Sequence, residues 1–189
     1  MDTIKYQLNA RRQPYGQGAD LSLLNESVGN EVLAFHQKFP DYRVTPLRKL
    51  EFLSQRLGLG SIHIKDEAQR FGLNAFKGLG GSYAMGKYLA ALLERDINTL
   101  SFAELNSPVI KARIKDIVFV TATDGNHGRG VAWAAEQLGL RAVVYMPKGS
   151  SPVRAQNIRR HGAECTITEL NYDDTVRLAA KTAREQAAG

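Results

Sequence analysis

The chain has 189 residues, 43% of them hydrophobic and 23% charged, a balance that supplies a real core for one domain or two small ones and argues against disorder. Its formal charge is +6, but the densest basic groups, Arg11/Arg12 and Arg159/Arg160/His161, lack the interleaved aromatics of a nucleic-acid platform, and an anionic small ligand or a solvated face fits the charge as well. No apolar run is long enough to span a membrane, and the N-terminal MDTIKYQLNARRQPYGQG has no apolar centre of a secretory signal, so a cytoplasmic protein is expected.

Residues 1 to about 30 combine Pro14, Gly16 and Gly18 with Asn and Ser in no sustained period and read as an irregular arm. A first helix is predicted over Glu31–Lys38, stopped by Pro40. Pro46 holds Thr45 extended. Beyond it, Leu47, Leu50, Leu53 and Leu57 recur at helical spacing and predict a helix over Leu47–Leu57, with Gly58 and Gly60 as stops. Ser61–Lys65 alternates and predicts a strand. After the loop Asp66–Asn74, a helix with small residues on one side is predicted over Gly78–Glu94, then a short helix and a connection within residues 96–116. The apolar run Ile117–Val120 is a strand leading into the loop Thr121–Gly130 and a helix over Val131–Leu138, closed by Gly139. Ala142–Met146 is again a strand, Pro152–Arg160 a helix stopped by Gly162, and Glu164–Leu170 a strand whose Cys165 is a buried thiol by default. Asn171 or Asp173 caps a last helix through Ala188. This order predicts an α/β fold with parallel strands and helices on both faces.

Ligands of such sheets gather at the carboxyl ends of the strands, where two loops are expected to converge: the one before Lys77, after the strand at 61–65, and Gly125–Gly130, after the strand at 117–120. Lys77, with Phe76 before it and Gly78, Gly80 and Gly81 after it, is a candidate reactive amine able to form a Schiff base. The competing account is a surface lysine that opens a helix. In Thr123–Gly128 the glycines permit positive φ and close approach to a flat ligand, and Asn126 offers donors and an acceptor; the competing account is a tight strand-to-helix turn. Asp124 adds a carboxylate suited to acid–base work, and its distance from Val131 argues against a capping role. The spacing Gly125, Gly128, Gly130 reverses a dinucleotide fingerprint, and Gly78-x-Gly80 has Tyr83 where the third glycine belongs. His36, His63, His127 and His161 show no metal-ligand spacing, and no metal is expected.

The pair RFGLNAFKGLGGSYA and TATDGNHGRGVAWAAEQLG, followed by VVYMPKGS, RRHGAEC and NYDDTVRLA, resembles the fold type II pyridoxal-phosphate enzymes with the tryptophan-synthase β fold, and among them the diaminopropionate ammonia-lyases. The resemblance covers most of the chain from about His36 onward. Threonine and serine dehydratases are more distant, with a small residue where this chain has Asp124. The resemblance implies that Lys77 carries pyridoxal 5′-phosphate, that Asn126, beside Gly125, contacts the 3′ oxygen of its ring, and that Asp124 is the base toward the D-isomer of the substrate. It implies α,β-elimination of 2,3-diaminopropionate to pyruvate and ammonia in amino-acid catabolism, by an enzyme that takes a small amino-acid substrate and is a homodimer at full length. Family members are much longer, so an N-terminal fragment is expected: residues 1–76 as arm and first part of the large domain, and residues 77–189 as a small α/β domain. The phosphate cradle and the partner of the pyridine nitrogen then fall beyond Gly189. Two alternatives stand beside this reading: a dehydratase-like lyase, against which Asp124 argues, and a non-catalytic remnant.

Overall fold

Asn25 opens the first helix, α1 (Glu26–Gln37), by accepting a hydrogen bond from the Val28 amide at 2.9 Å. The helix starts earlier than the apolar spacing alone indicates, because a capping side chain sets its first residue. The structure, a computed structural model, describes residues 8–14, 16, 18, 20 and 22–187. Of the arm expected over residues 1 to about 30, residues 1–7, 15, 17, 19 and 21 lie outside the described residues, as does Ala188 at the end of the last predicted helix.

Leu47–Leu57 departs from expectation. Its first part is a strand, β1 (Leu47–Lys49), antiparallel to β2 (His63–Lys65), with Leu47 opposite Lys65. Only Glu51–Arg56 is helical, as α2. Pro46 already holds the chain extended, and pairing with the following segment satisfies amides that a helix would otherwise bond, Leu50 donating to the Ile62 carbonyl at 2.9 Å. Leu47, 67% exposed, Leu57, 58% exposed, and Leu53 face outward and Leu50 is half-buried, so their spacing does not mark a buried helix face. The pair β1–β2 is a separate two-stranded sheet. Lys77 therefore does not follow a strand of the parallel sheet, as expected from the sequence; a short 3-10 turn over Glu67–Gly72 comes between.

The parallel sheet has three strands in the order β3 (Val118–Ala122), β4 (Arg141–Met146) and β5 (Glu164–Ile167). They alternate with α6 (Asn126–Leu138), α7 (Pro152–Arg159) and α8 (Tyr172–Ala187), after α3 (Lys77–Leu92), α4 (Phe102–Leu105) and α5 (Pro108–Ile114). Along β4 the faces alternate. Val144 points at α6, where a Cβ on Gly128 would stand 2.9 Å from its Cγ1, whereas the Tyr145 hydroxyl accepts from Thr182 of α8 at 3.4 Å. Helices thus cover both faces, as the period of two in a strand requires. Asn171 caps α8, its side-chain oxygen accepting from the Asp174 amide at 2.9 Å. The core is continuous from Phe35 and Phe39 through Met85, Leu89 and Trp133 to Val144, Ile158 and the buried Cys165. Among the described residues no helix is long and apolar enough to cross a membrane.

Candidate functional site

Lys77 is the first residue of α3, and the segment leading into it is sharply turned: Phe71, Gly72 and Asn74 have φ of 50°, 67° and 52°. Non-glycine residues in that region cost about 1–3 kcal/mol each, so the surroundings must hold them there. Arg70, 5% exposed, supplies one anchor: its Nε donates to Glu67 Oε2 at 2.7 Å, and its terminal nitrogens to the Arg43 carbonyl at 2.7 Å and Thr45 Oγ1 at 3.1 Å. The hydrogen bond from Arg70 draws the Glu67 carboxyl below its ordinary pKa. Arg129 of α6 supplies a second anchor, donating to the Leu73 carbonyl at 3.0 Å and the Gly72 carbonyl at 3.4 Å.

The glycines near Lys77 and in the second loop act mainly through packing. A Cβ on Gly130 would stand 2.8 Å from the Gly78 nitrogen and 2.9 Å from the Lys77 carbonyl carbon, and one on Gly78 would stand 2.8 Å from Leu73 Cδ1. On Gly128 it would meet Thr123 Cγ2 at 2.3 Å. Bare backbone at these points lets the first turns of α3 and α6 touch, which brings the lysine to the loop. The expected freedom in φ is used by Gly125, at φ 159° and ψ −90°, whereas Gly128 and Gly130 lie within α6.

α6 begins at Asn126, not Val131. Thr123, 1% exposed, closes its start: Oγ1 accepts from the amides of Gly125 and Gly128, each at 3.0 Å. Thr123 thus does the capping, and Asp124 is left exposed with its carbonyl accepting from the Arg154 guanidinium at 3.1 Å.

A cavity of about 510 Å³ opens here, lined by Lys77, Gly80, Thr123, Asp124, His127 and Tyr172 among others. Its volume suits a small ligand. Of the sequence-predicted residues, Lys77 and Asp124 line it; Gly125, buried in the turn, and Asn126, exposed at the start of α6, are not among its lining residues. A second cavity of about 580 Å³ adjoins it, sharing Gly80, Gly81 and His127. No heavy atom lies within 4 Å of where a Cβ on Gly80 would stand, so this glycine leaves space open. Partial desolvation of its ring, and next the Lys77 ammonium, hold the His127 pKa below its ordinary value. His127, Thr123, Arg70, Arg129 and Tyr172 are not among the residues expected at the site from the sequence. Their places within RFGLNAFK and NYDDTVRLA could have singled out Arg70 and Tyr172.

The model of a family described as pyridoxal-phosphate dependent enzyme matches residues 38–189. The chain is 76% identical to a diaminopropionate ammonia-lyase of Salmonella typhimurium, over 97% of this chain and 45% of that protein. It is 45% identical to the diaminopropionate ammonia-lyase of Escherichia coli K12, over 98% of this chain and 46% of that one. Among solved structures, the apo form of the Escherichia coli diaminopropionate ammonia-lyase superposes with a TM-score of 0.82 at 49% identity, over 88% of this chain and 44% of that chain. The chain spans less than half the length of these relatives.

Proposed function

The chain belongs to the family of pyridoxal-phosphate-dependent enzymes, and from that premise we propose that it is the part of a diaminopropionate ammonia-lyase that carries the cofactor-bearing lysine. The observation that carries this reading is the meeting of Lys77 and Asp124 on one cavity. The residues fit the cofactor. An amine stands at the wall, and Gly80 leaves open the space that a side chain would fill. When bound, pyridoxal phosphate would supply a sink for the electron pair left on the substrate Cα.

The remaining work falls to side chains of this chain. Lys77 would supply the amine that holds the cofactor, and Asn126, beside Gly125, would contact the 3′ oxygen of its ring. Asp124 takes the proton from Cα of the D-isomer, in the role of a positioned general base. Thr123 keeps that carboxylate at the cavity wall by holding the turn. We assign residues 1–76 to an arm and the first part of the large domain, and residues 77–189 to a small domain. The longer enzyme is a cytoplasmic homodimer that degrades 2,3-diaminopropionate to pyruvate and ammonia in amino-acid catabolism.

The test uses the chain with pyridoxal 5′-phosphate, borohydride reduction and peptide mapping. Lys77 is expected to carry the principal label, and Lys77→Ala to abolish it. Labelling spread evenly over Lys65, Lys77 and Lys87 overturns the assignment.

A further inference from the structure

His36 is 2% exposed near the end of α1, and the proposed elimination makes no use of it. Its Nδ1 lies 2.7 Å from the Val32 carbonyl, one turn back in its own helix. Its Nε2 reaches across to α3, 3.0 Å from the Leu79 carbonyl and 3.0 Å from Ser82 Oγ. Ser82, fully buried, continues the connection: its hydroxyl lies 2.8 Å from the Gly78 carbonyl and 3.1 Å from that of Leu79. Gly78 and Leu79 are the two residues that follow Lys77.

The first turn of a helix is its least secure part, because its amides lack partners within the helix, and a capping side chain ordinarily steadies it. α3 has none: Phe76, at the N-cap position, has helical φ and ψ and makes no side-chain capping bond. The contacts of His36 and Ser82 leave those amides as they are; they hold the carbonyls of Gly78 and Leu79 instead, on the same turn that carries the lysine. Space-filling does not account for the imidazole. The rings of Phe35, Phe39, Phe71 and Tyr83 surround it with centroids 5.1 to 6.4 Å away, a setting in which a phenyl ring packs equally well without a polar group to satisfy.

We propose that His36 is a positioning residue that, through Leu79 and Ser82, fixes the first turn of α3 and thereby the direction in which Lys77 enters the cavity. The inference rests on the reading of Lys77 as the cofactor-bearing amine.

Hydrogen exchange followed by mass spectrometry on the cofactor-free chain tests the tie, using His36→Phe, His36→Asn and His36→Gln. The Gln side chain carries an amide to about the place of Nε2, whereas the Asn amide reaches only about as far as Nδ1. Peptides covering Lys77–Tyr83 are expected to exchange roughly tenfold faster in the Phe and Asn variants, and close to the unmutated rate in the Gln variant, with α6 and β4 unchanged. In the same variants, borohydride-fixed labelling of Lys77 with pyridoxal 5′-phosphate falls relative to Lys65 and Lys87, and the Gln variant recovers it. Uniform acceleration across α3, α6 and β4, or unchanged exchange, overturns the proposal. So does a local change in exchange that leaves Lys77 labelling untouched, which would make His36 a purely structural residue. If His36→Phe does not fold, the contrast between Asn and Gln decides alone. Absence of preferential Lys77 labelling in the unmutated chain defeats the proposed function, while the exchange pattern still reports the tie, so the two failures are told apart.

Discussion

Within the turn from Thr123 to Gly128, neighbouring side chains divide the labour. Thr123 is spent on backbone amides, which leaves the Asp124 carboxylate on the cavity wall. In a chimera that joins this chain to the remaining part of the Salmonella relative, Asp124→Asn is expected to lower turnover of D-2,3-diaminopropionate by about 10²–10⁴-fold, the range for loss of a general base. The L-isomer is affected far less, and cofactor absorbance is retained. An equal, modest loss on both isomers with a lower melting temperature would return Asp124 to a structural role. His36 makes a prediction about pH. Burial is the largest influence on it and lowers its pKa below 6.5, outweighing the Val32 and Leu79 carbonyls, which raise it; the Arg70 guanidinium of the 3-10 turn lowers it further. The other polar groups near the ring, the Ser82 hydroxyl and Tyr83, come from α3. The unfolded chain therefore takes up the proton first as pH falls. Stability is full above about 6.5 and is lost as pH drops toward the lowered folded value. Urea midpoints measured between pH 7.5 and 5 should decline less steeply for His36→Gln than for the unmutated chain, provided that the variant folds; parallel slopes would show that His36 does not titrate in this window.

At the scale of elements, the site depends on how closely α3 and α6 approach, and two glycines separate packing from function. Gly130→Ala places a methyl 2.8 Å from the Gly78 nitrogen and 2.9 Å from the Lys77 carbonyl carbon, atoms that cannot rotate away. Overpacking of this kind costs about 1–3 kcal/mol, so the denaturation midpoint should fall, and Lys77 labelling with it. Gly80→Ala meets no atom within 4 Å and lies inside α3, where alanine is favoured over glycine by about 1 kcal/mol. Its midpoint should hold or rise, yet Lys77 labelling should fall because the methyl enters the cavity. A Gly80→Ala variant that is both more stable and fully labelled would place the cofactor elsewhere. Secure caps on α1, α4 and α8, from Asn25, Ser101 and Asn171, contrast with the uncapped start of α3.

For the whole molecule, one continuous core joins α1, α3 and α6 to the parallel sheet, while Val44, Leu47, Phe52 and Leu57 around β1 and α2 remain more than half exposed. The cavity beside Lys77 has its charged wall from α3 and the Thr123–His127 turn, and the relatives are more than twice as long as the stretch they share with this chain. The 189-residue chain by itself is expected to release no pyruvate from 2,3-diaminopropionate in a coupled assay, and the chimera with the Salmonella relative to release it. Pyruvate production by the chain alone, free of longer species, would refute this.

The parallel part of the fold was legible in the sequence because β3 and β4 are short apolar runs and each strand of the sheet is followed by a helix with a local boundary signal, Gly139 after α6, Pro152 at the start of α7 and Asn171 before α8. Lys77 and Asp124 stand out as candidates for a related reason, an amine among glycines and a carboxylate in a glycine turn being chemically unusual where they stand, and the structure sets both on one cavity. What stayed hidden depends on partners distant in the chain. Leu47–Lys49 has helical spacing and becomes a strand because Ile62–Lys65 offers backbone partners. Gly128 and Gly130 resemble a ligand loop, and their need for glycine comes from the Thr123 methyl and the Gly78 amide. His36 is one histidine among four by sequence, and only the crossing of α1 over α3 sets it on the carbonyl of Leu79. Chain order determined the elements of the parallel sheet and marked the candidate groups, since these follow from near neighbours; which backbones touch, and therefore where Lys77 points, was decided by tertiary packing, because close contact depends on atoms that the chain brings together only when it folds.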